Sequence, residues 1–146
     1  MITIRQADRS DLDDLARIRA LVRENTLSYV IPRDRIIAGL EARGRGWVAQ
    51  VDEQIVGFSM ADLKDNSIWA LFLLPEYEGQ GLGRTLLDRA VRWLFEQGCD
   101  RIWLSTDPQT RAAGFYRHLG WIDVGRTVHG EIRFELVPAA PSERPN

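Results

Sequence analysis

Leu73-Leu74-Pro75-Glu76-Tyr77-Glu78-Gly79-Gln80-Gly81-Leu82-Gly83-Arg84 lies between two apolar patterns of different period. Before it, Ile68 to Leu74 is an unbroken run of seven apolar residues that reads as a strand. After it, Leu86, Leu87, Val91 and Leu94 recur at helical spacing. Three glycines on alternate positions between a strand and a helix describe a loop for an anion. Glycine lets the backbone turn tightly and approach a ligand, and the first amides of the following helix have no partner inside it. The loop lacks the Lys-Ser/Thr ending of a P-loop, and its flanks do not suggest the N-terminal strand-helix unit of a dinucleotide site.

Working outward, Ile2, Ile4 and Ala7 bracket a first strand, and Ser10 caps a helix carrying Leu12, Leu15, Ile18, Leu21 and Val22. The periodicity lapses from Asn25 to Ile31, which predicts a flexible lip. A shorter helix with Ile36, Ile37 and Leu40 follows Pro32 and stops at Gly44. Trp47 to Val51, Gln54 to Ala61 and Ser67 to Leu74 form an antiparallel meander. The helix behind the glycine loop runs from about Leu82 to near Gln97, with Gly98 as its left-handed stop. Arg101 to Ser105 is a strand, Ala112, Phe115, Tyr116 and Leu119 mark a helix closed by Gly120, and Trp121 to Val124 pairs with Ile132 to Val137. The order is that of an α/β (α+β) sandwich, with helices on a mixed sheet. One domain over residues 1–138 and a disordered tail over 139–146 are expected.

Composition narrows the function. The net charge of −2 gives no electrostatic case for nucleic acid as the main partner. The longest apolar run falls well short of the roughly 20 residues that span a bilayer, and the N-terminus has no secretory pattern. The single cysteine, Cys99, excludes an internal disulfide and a thiolate metal cluster, and a reducing cytosol fits. His118 and His129 are the only histidines, and no paired spacing suggests a metal. All basic residues but Lys64 are arginine, the side chain that grips phosphate in two-pronged fashion.

The chain resembles the GNAT superfamily of N-acetyltransferases over residues 2 to 137. Glu78-Gly79-Gln80-Gly81-Leu82-Gly83 stands where that family has Gln/Arg-x-x-Gly-x-Gly/Ala, and Gln109-Thr110-Arg111-Ala112-Ala113-Gly114-Phe115-Tyr116 followed by Gly120-Trp121 matches its second motif. The resemblance implies a mostly antiparallel sheet of about seven strands flanked by four helices. It implies acetyl-CoA as cosubstrate, an amine acceptor attacked directly, and a homodimer as an expectation common to the family. Gln80, Gly81, Leu82, Gly83 and Arg84 would cradle the pyrophosphate. Gln109 and Ala112 would contact the cofactor, main-chain amides near Phe72 and Leu73 would hold the thioester oxygen, and Arg111 and Arg117 are further phosphate partners.

Tyr116 matches the family tyrosine that protonates the departing thiolate, and a phenol near pKa 10 can do so because a thiol sits near 8.5. Glu78 departs from the pattern. A carboxylate about 4 Å from a phosphate is repelled by roughly 4 kcal/mol at an effective dielectric near 20, so Glu78 should point away. The fourth strand carries no Glu, Asp or His, and the general base is left among Asp62, Glu24 and Asp107. Phe58 and Trp69 are expected on an acceptor pocket. The competing readings are another acyl donor, and a CoA-binding or partner-binding module without turnover.

Overall fold

The structure, a computed structural model, describes residues 1–22 and 32–138. Glu24, the Asn25 to Ile31 lip and the 139–146 tail lie outside the described residues. Seven strands form one sheet in the order β1-β2-β3-β4-β5-β7-β6. In chain order they are β1 (Ile2–Gln6), β2 (Gly44–Val51), β3 (Gln54–Asp62), β4 (Ser67–Leu73), β5 (Ile102–Thr106), β6 (Ile122–Arg126) and β7 (Ile132–Leu136). Among the described residues four α-helices accompany them: α1 (Leu12–Val22), α2 (Arg33–Glu41), α3 (Leu82–Glu96) and α4 (Ala112–His118). Every strand contact is antiparallel except β4 with β5. The α+β reading and the meander β2-β3-β4 therefore hold.

Local chemistry accounts for the ends of these elements. Asp52 and Glu53 both take positive φ, as the two central residues of a tight hairpin between β2 and β3 must. Gly98 and Gly120, at φ of 98° and 94°, end α3 and α4 as expected. Two boundaries differ. Asp8, not Ser10, caps the first helical turn: its carboxylate accepts the Ser10 amide at 2.9 Å, and Asp11 reaches back to the Asp8 amide at 2.9 Å. Gly44 does not stop α2, which ends at Glu41; it opens β2, where a Cβ would stand 1.8 Å from the Ala61 carbonyl oxygen.

The sheet has two covered faces. Leu82, Leu86, Leu87, Ala90, Trp93 and Leu94 make the buried stripe of α3, and the Ser59 hydroxyl donates to the Leu86 carbonyl at 2.9 Å, so Gly57 and Ser59 face α3. Phe58 and Met60, on alternate positions, face the other way, toward α1 and α2. Gly39 lets α2 settle there: a Cβ would lie 3.1 Å from the Trp69 ring and 3.2 Å from Met60. No described helix is long and apolar enough to cross a membrane.

Candidate functional site

The site begins where the sheet splits. β4 and β5 share a single register pair, Ser67 with Trp103, and the Trp103 amide donates to the Asn66 carbonyl at 3.0 Å. Beyond that pair the two strands are not joined. The edge of β4 past the split consequently carries main-chain groups with no strand to receive them. Which groups these are follows from alternation. The Leu74 amide donates to Val56 on β3 at 2.9 Å, so Phe72, two residues earlier, also turns its amide to β3. The intervening Leu73 turns its N–H toward the gap. Of the two residues expected to hold the thioester oxygen, Leu73 turns its N–H to the gap and Phe72 turns its N–H to β3.

The glycine loop follows directly. Gly79 and Gly81 both take φ near 80°, a region that L side chains rarely adopt, and a Cβ at either would meet nothing within 4 Å. Their outer side is open space. Gly81 is the N-cap of α3 and no side chain caps the helix. The first main-chain bond into the helix runs from Thr85 to the Gly81 carbonyl at 3.1 Å, which leaves the amides of Gly81, Leu82, Gly83 and Arg84 without intrahelical partners. The first turn carries no acid and one cation, Arg84, the reverse of what the dipole of an unliganded helix favours. Such a turn suits a bound anion. Gln80 is exposed beside it and Leu82 is buried beneath it.

Glu78 does not simply point away. Its carboxylate receives Arg111 Nη2 at 3.0 Å, so a residue of the second motif neutralises the acid of the first. Arg111 is thereby engaged. Arg117 is engaged elsewhere, 3.3 Å from Asp123 and over the Phe134 ring at 5.5 Å. Among the described residues Arg84 makes no ion pair, which leaves it the free cation of the three. Gln109 is exposed in the turn before α4, and Ala112 is the first, half-buried residue of that helix.

Tyr116 lies buried on α4. Its ring packs against Phe115, Trp121 and Phe134 with centroids 5.4, 5.9 and 5.8 Å apart. Burial pushes its phenol well above the ordinary value, so it stays protonated across the physiological range.

Asp62 and Asp107 both have structural work. The Asp62 carboxylate is buried, receives Arg43 at 2.7 Å, and accepts the Lys64 and Asp65 amides at 2.8 and 3.2 Å. It locks the β3–β4 turn. Asp107 accepts the Gln109 amide at 2.8 Å, and its carbonyl takes the Thr110 amide, shaping the entry to α4.

On the α1–α2 face a slot opens between helices and sheet. Phe58 and Met60 of β3 line it with Trp69 and Ala70 of β4, as do Leu15 and Arg19 of α1 and Ile36 of α2. Two neighbours on one strand cannot normally face the same way. Met60 pairs with Ala70 while Ala61 pairs with Ile68, so Trp69 is the extra residue of a bulge, and the bulge turns both side chains to the slot. Arg35 stands over the Trp69 ring at 5.7 Å. Phe58 and Trp69 thus share one wall, beside the gap. The sequence had no sign of the bulge; Glu131, expected with His129 as an exposed residue of the last hairpin, is instead half-buried on the far side of the gap, where its Oε1 accepts the Ser105 hydroxyl at 2.8 Å.

Comparison with known proteins agrees with this geometry. Residues 11–121 match the acetyltransferase (GNAT) family. An uncharacterized N-acetyltransferase of Archaeoglobus fulgidus is 31% identical over 109 residues, 64% of this chain and 74% of the relative. Two other curated relatives are longer, and the aligned part covers 46% and 42% of their length. The crystal structure of the PaiA N-acetyltransferase of Thermoplasma acidophilum, in complex with coenzyme A, superposes with a TM-score of 0.80 at 19% identity, over 94% of this chain and 99% of that one. That of the ribosomal-protein-S18-alanine N-acetyltransferase of Escherichia coli gives 0.75 at 19% identity, with both chains fully covered. With the family matched across more than half its length and the fold shared throughout, the chain belongs to the GNAT family and is an acetyl-CoA-dependent N-acyltransferase.

Proposed function

We propose that the chain acetylates a primary amine, with the amides from Gly81 to Arg84 holding the pyrophosphate of acetyl-CoA and the β4–β5 gap holding its thioester end. The observation that carries this reading is the left-handed N-cap at Gly81, which opens four unpartnered amides onto empty space next to the unpaired edge of β4. In this reading Gln80 and the Arg84 guanidinium add to the phosphate site, and Gln109 and Ala112 border the cofactor from α4. The Leu73 N–H faces the thioester oxygen and stabilises the charge that develops there. Tyr116 supplies the proton to the thiolate; burial keeps its phenol protonated and makes that transfer steeper than for a free phenol.

Asp62 is left out of the base role, because its carboxylate is committed to Arg43 and two turn amides. Asp107 holds the Gln109 amide and shapes the entry to α4. The half-buried lone Cys99 suits a reducing, cytosolic setting.

The test has two stages. Acetyl-CoA at 100 times its Kd should add about 2.7 kcal/mol of stability, and an unchanged melting temperature would remove the cofactor site. Release of free thiol in the presence of amines then separates an enzyme from a binding module.

A further inference from the structure

The face that carries the slot has a second arm, and its chemistry is polar. Ser67 pairs with Asp62, two residues from Met60, so Ser67 lies on the α1–α2 face of the sheet. Trp103, paired in parallel with Ser67, lies on that face too. Ser105 is two residues farther along β5, about 7 Å beyond the split, and by count stands across the gap from Trp69. Arg133 pairs with Ser105, and Glu131 is two residues before Arg133. Slot, gap and the Ser105–Glu131 pair therefore share one face of the molecule.

We propose that Glu131, held by Ser105, receives the ammonium group of an alkylamine acceptor and takes its proton. This assignment rests on the acetyl-transfer reading above. The Ser105 hydroxyl fixes Oε1 and, among the described residues, nothing bonds Oε2, which leaves that oxygen on the β5–β7 arm able to accept. The main chain holds the residue as well: the Thr127 amide donates to the Glu131 carbonyl at 2.8 Å, and the Glu131 amide donates to Thr127 Oγ1 at 3.2 Å. Among the described residues Glu131 makes no ion pair, whereas Glu135 and Asp123 do. Arg133 is drawn over the Trp103 ring at 4.3 Å and to Glu135 at 3.2 Å. Glu135 also receives Arg101, Asp123 on β6 takes Arg117 and Arg126, and Asp107 shapes its turn. His129 is exposed in the hairpin.

The step balances. The ammonium gives one proton to Glu131, and the freed lone pair forms the C–N bond at the thioester carbon. The carbonyl pair moves to oxygen and returns as the C–S bond breaks. The sulfur takes the Tyr116 proton, and the surplus proton on nitrogen restores the phenol through water. Glu131 releases its proton to solvent with the product amide.

Thiol release from acetyl-CoA with propylamine as the probe, followed from about pH 6 to about pH 10, tests this in the wild-type chain, Glu131→Gln, Glu131→Asp and Ser105→Ala. Glu131→Gln should lower kcat about 100-fold near neutrality, with the deficit narrowing as pH approaches the pKa of the amine. Glu131→Asp should recover part of the rate, and Ser105→Ala should fall between, all with the acetyl-CoA-induced rise in melting temperature intact. A Glu131→Gln rate within about threefold of wild type, or a deficit equal at every pH, overturns the assignment. So does a wild-type chain that acetyl-CoA stabilises but that releases no thiol with propylamine. A chain that acetyl-CoA does not stabilise overturns the donor reading instead, and this one with it.

Discussion

Arg111 donates to Glu78 at 3.0 Å, and through that pair the entry to α4 is tied to the loop that opens α3. An acid that would repel a phosphate is met by a base from the other motif, so a proposed anion site beside it would be spared much of that charge. Arg111 is 91% exposed and Glu78 47%, and an ion pair so wet contributes within about 0.5 kcal/mol to stability. Its effect belongs to binding. Glu78→Gln should leave the melting temperature unchanged and tighten acetyl-CoA about threefold, from one charge removed some 8 Å away through water. Titration calorimetry at low salt would read this; a weaker complex would mean that the pair braces the loop.

The Tyr116 phenol separates two roles by two measurements. Tyr116→Phe should lower kcat about 100-fold while acetyl-CoA affinity stays level. The burial that raises its pKa also links it to stability. In the folded chain the phenol holds its proton above pH 10, where the unfolded chain has lost it, so stability is complete below pH 10 and falls as pH rises beyond. Cys99, whose thiol burial also pushes up, adds to this alkaline loss. Denaturant titrations at about pH 9 and pH 11 should show a shallower loss in Tyr116→Phe than in wild type. Equal slopes would mean that the phenol ionises in the fold as freely as outside it.

Gly81→Ala tests the backbone of the cradle. The added methyl meets open space, so the only cost in the free protein is that of a left-handed φ, about 1 kcal/mol. Relief of that strain would rotate the unpartnered amides away from the anion. Acetyl-CoA affinity should therefore drop by more than the tenfold that about 1.4 kcal/mol represents, while the melting temperature moves by only a few degrees. An affinity unchanged within error would take the pyrophosphate elsewhere.

Acid stability has its own anchor. Arg5 reaches Asp11 with both terminal nitrogens, at 2.9 and 2.8 Å, and joins β1 to the capped turn that leads into α1. The bond from Arg5, with the Asp8 amide assisting, holds the buried Asp11 carboxyl below its ordinary range against the cost of burial. A depressed carboxylate stabilises the fold above the unfolded pKa near 4, and that contribution vanishes as pH falls through the lower folded value. Arg5→Met should shrink the fall in stability between about pH 5 and pH 2, while lowering stability at neutrality. A variant as acid-sensitive as wild type would mean that Asp11 is depressed by its backbone bonds alone.

The elements were legible because their signals are local. A period of 3.6 with Gly98 and Gly120 at the ends marks α3 and α4, and a two-residue turn marks β2 and β3. Residues whose role depends on distant partners were not legible. Asp62 looks like a turn starter until Arg43, nineteen positions earlier, is seen to neutralise it. Ser105 and Glu131 are separated by 26 residues and meet only because β7 lies beside β5. The bulge at Trp69 arises from register between strands, which the alternation of one strand cannot express. Asp8 and Ser10 are both good caps, and the choice falls to Asp8 because Asp11 stands three residues on and completes the box.

The lone register pair between Ser67 and Trp103 also bears on how the protein comes apart. Elsewhere the strands are laced by several consecutive pairs, whereas here two halves of a sheet hang together by one rung and the helices above it. Such halves have little main-chain reason to open in concert, and the half containing β5 to β7 can exchange its amides as a unit of its own. An acyl-CoA lying in the gap would touch both. A cosubstrate there would act as the missing rung, and amide exchange across β5 to β7 should slow when it binds.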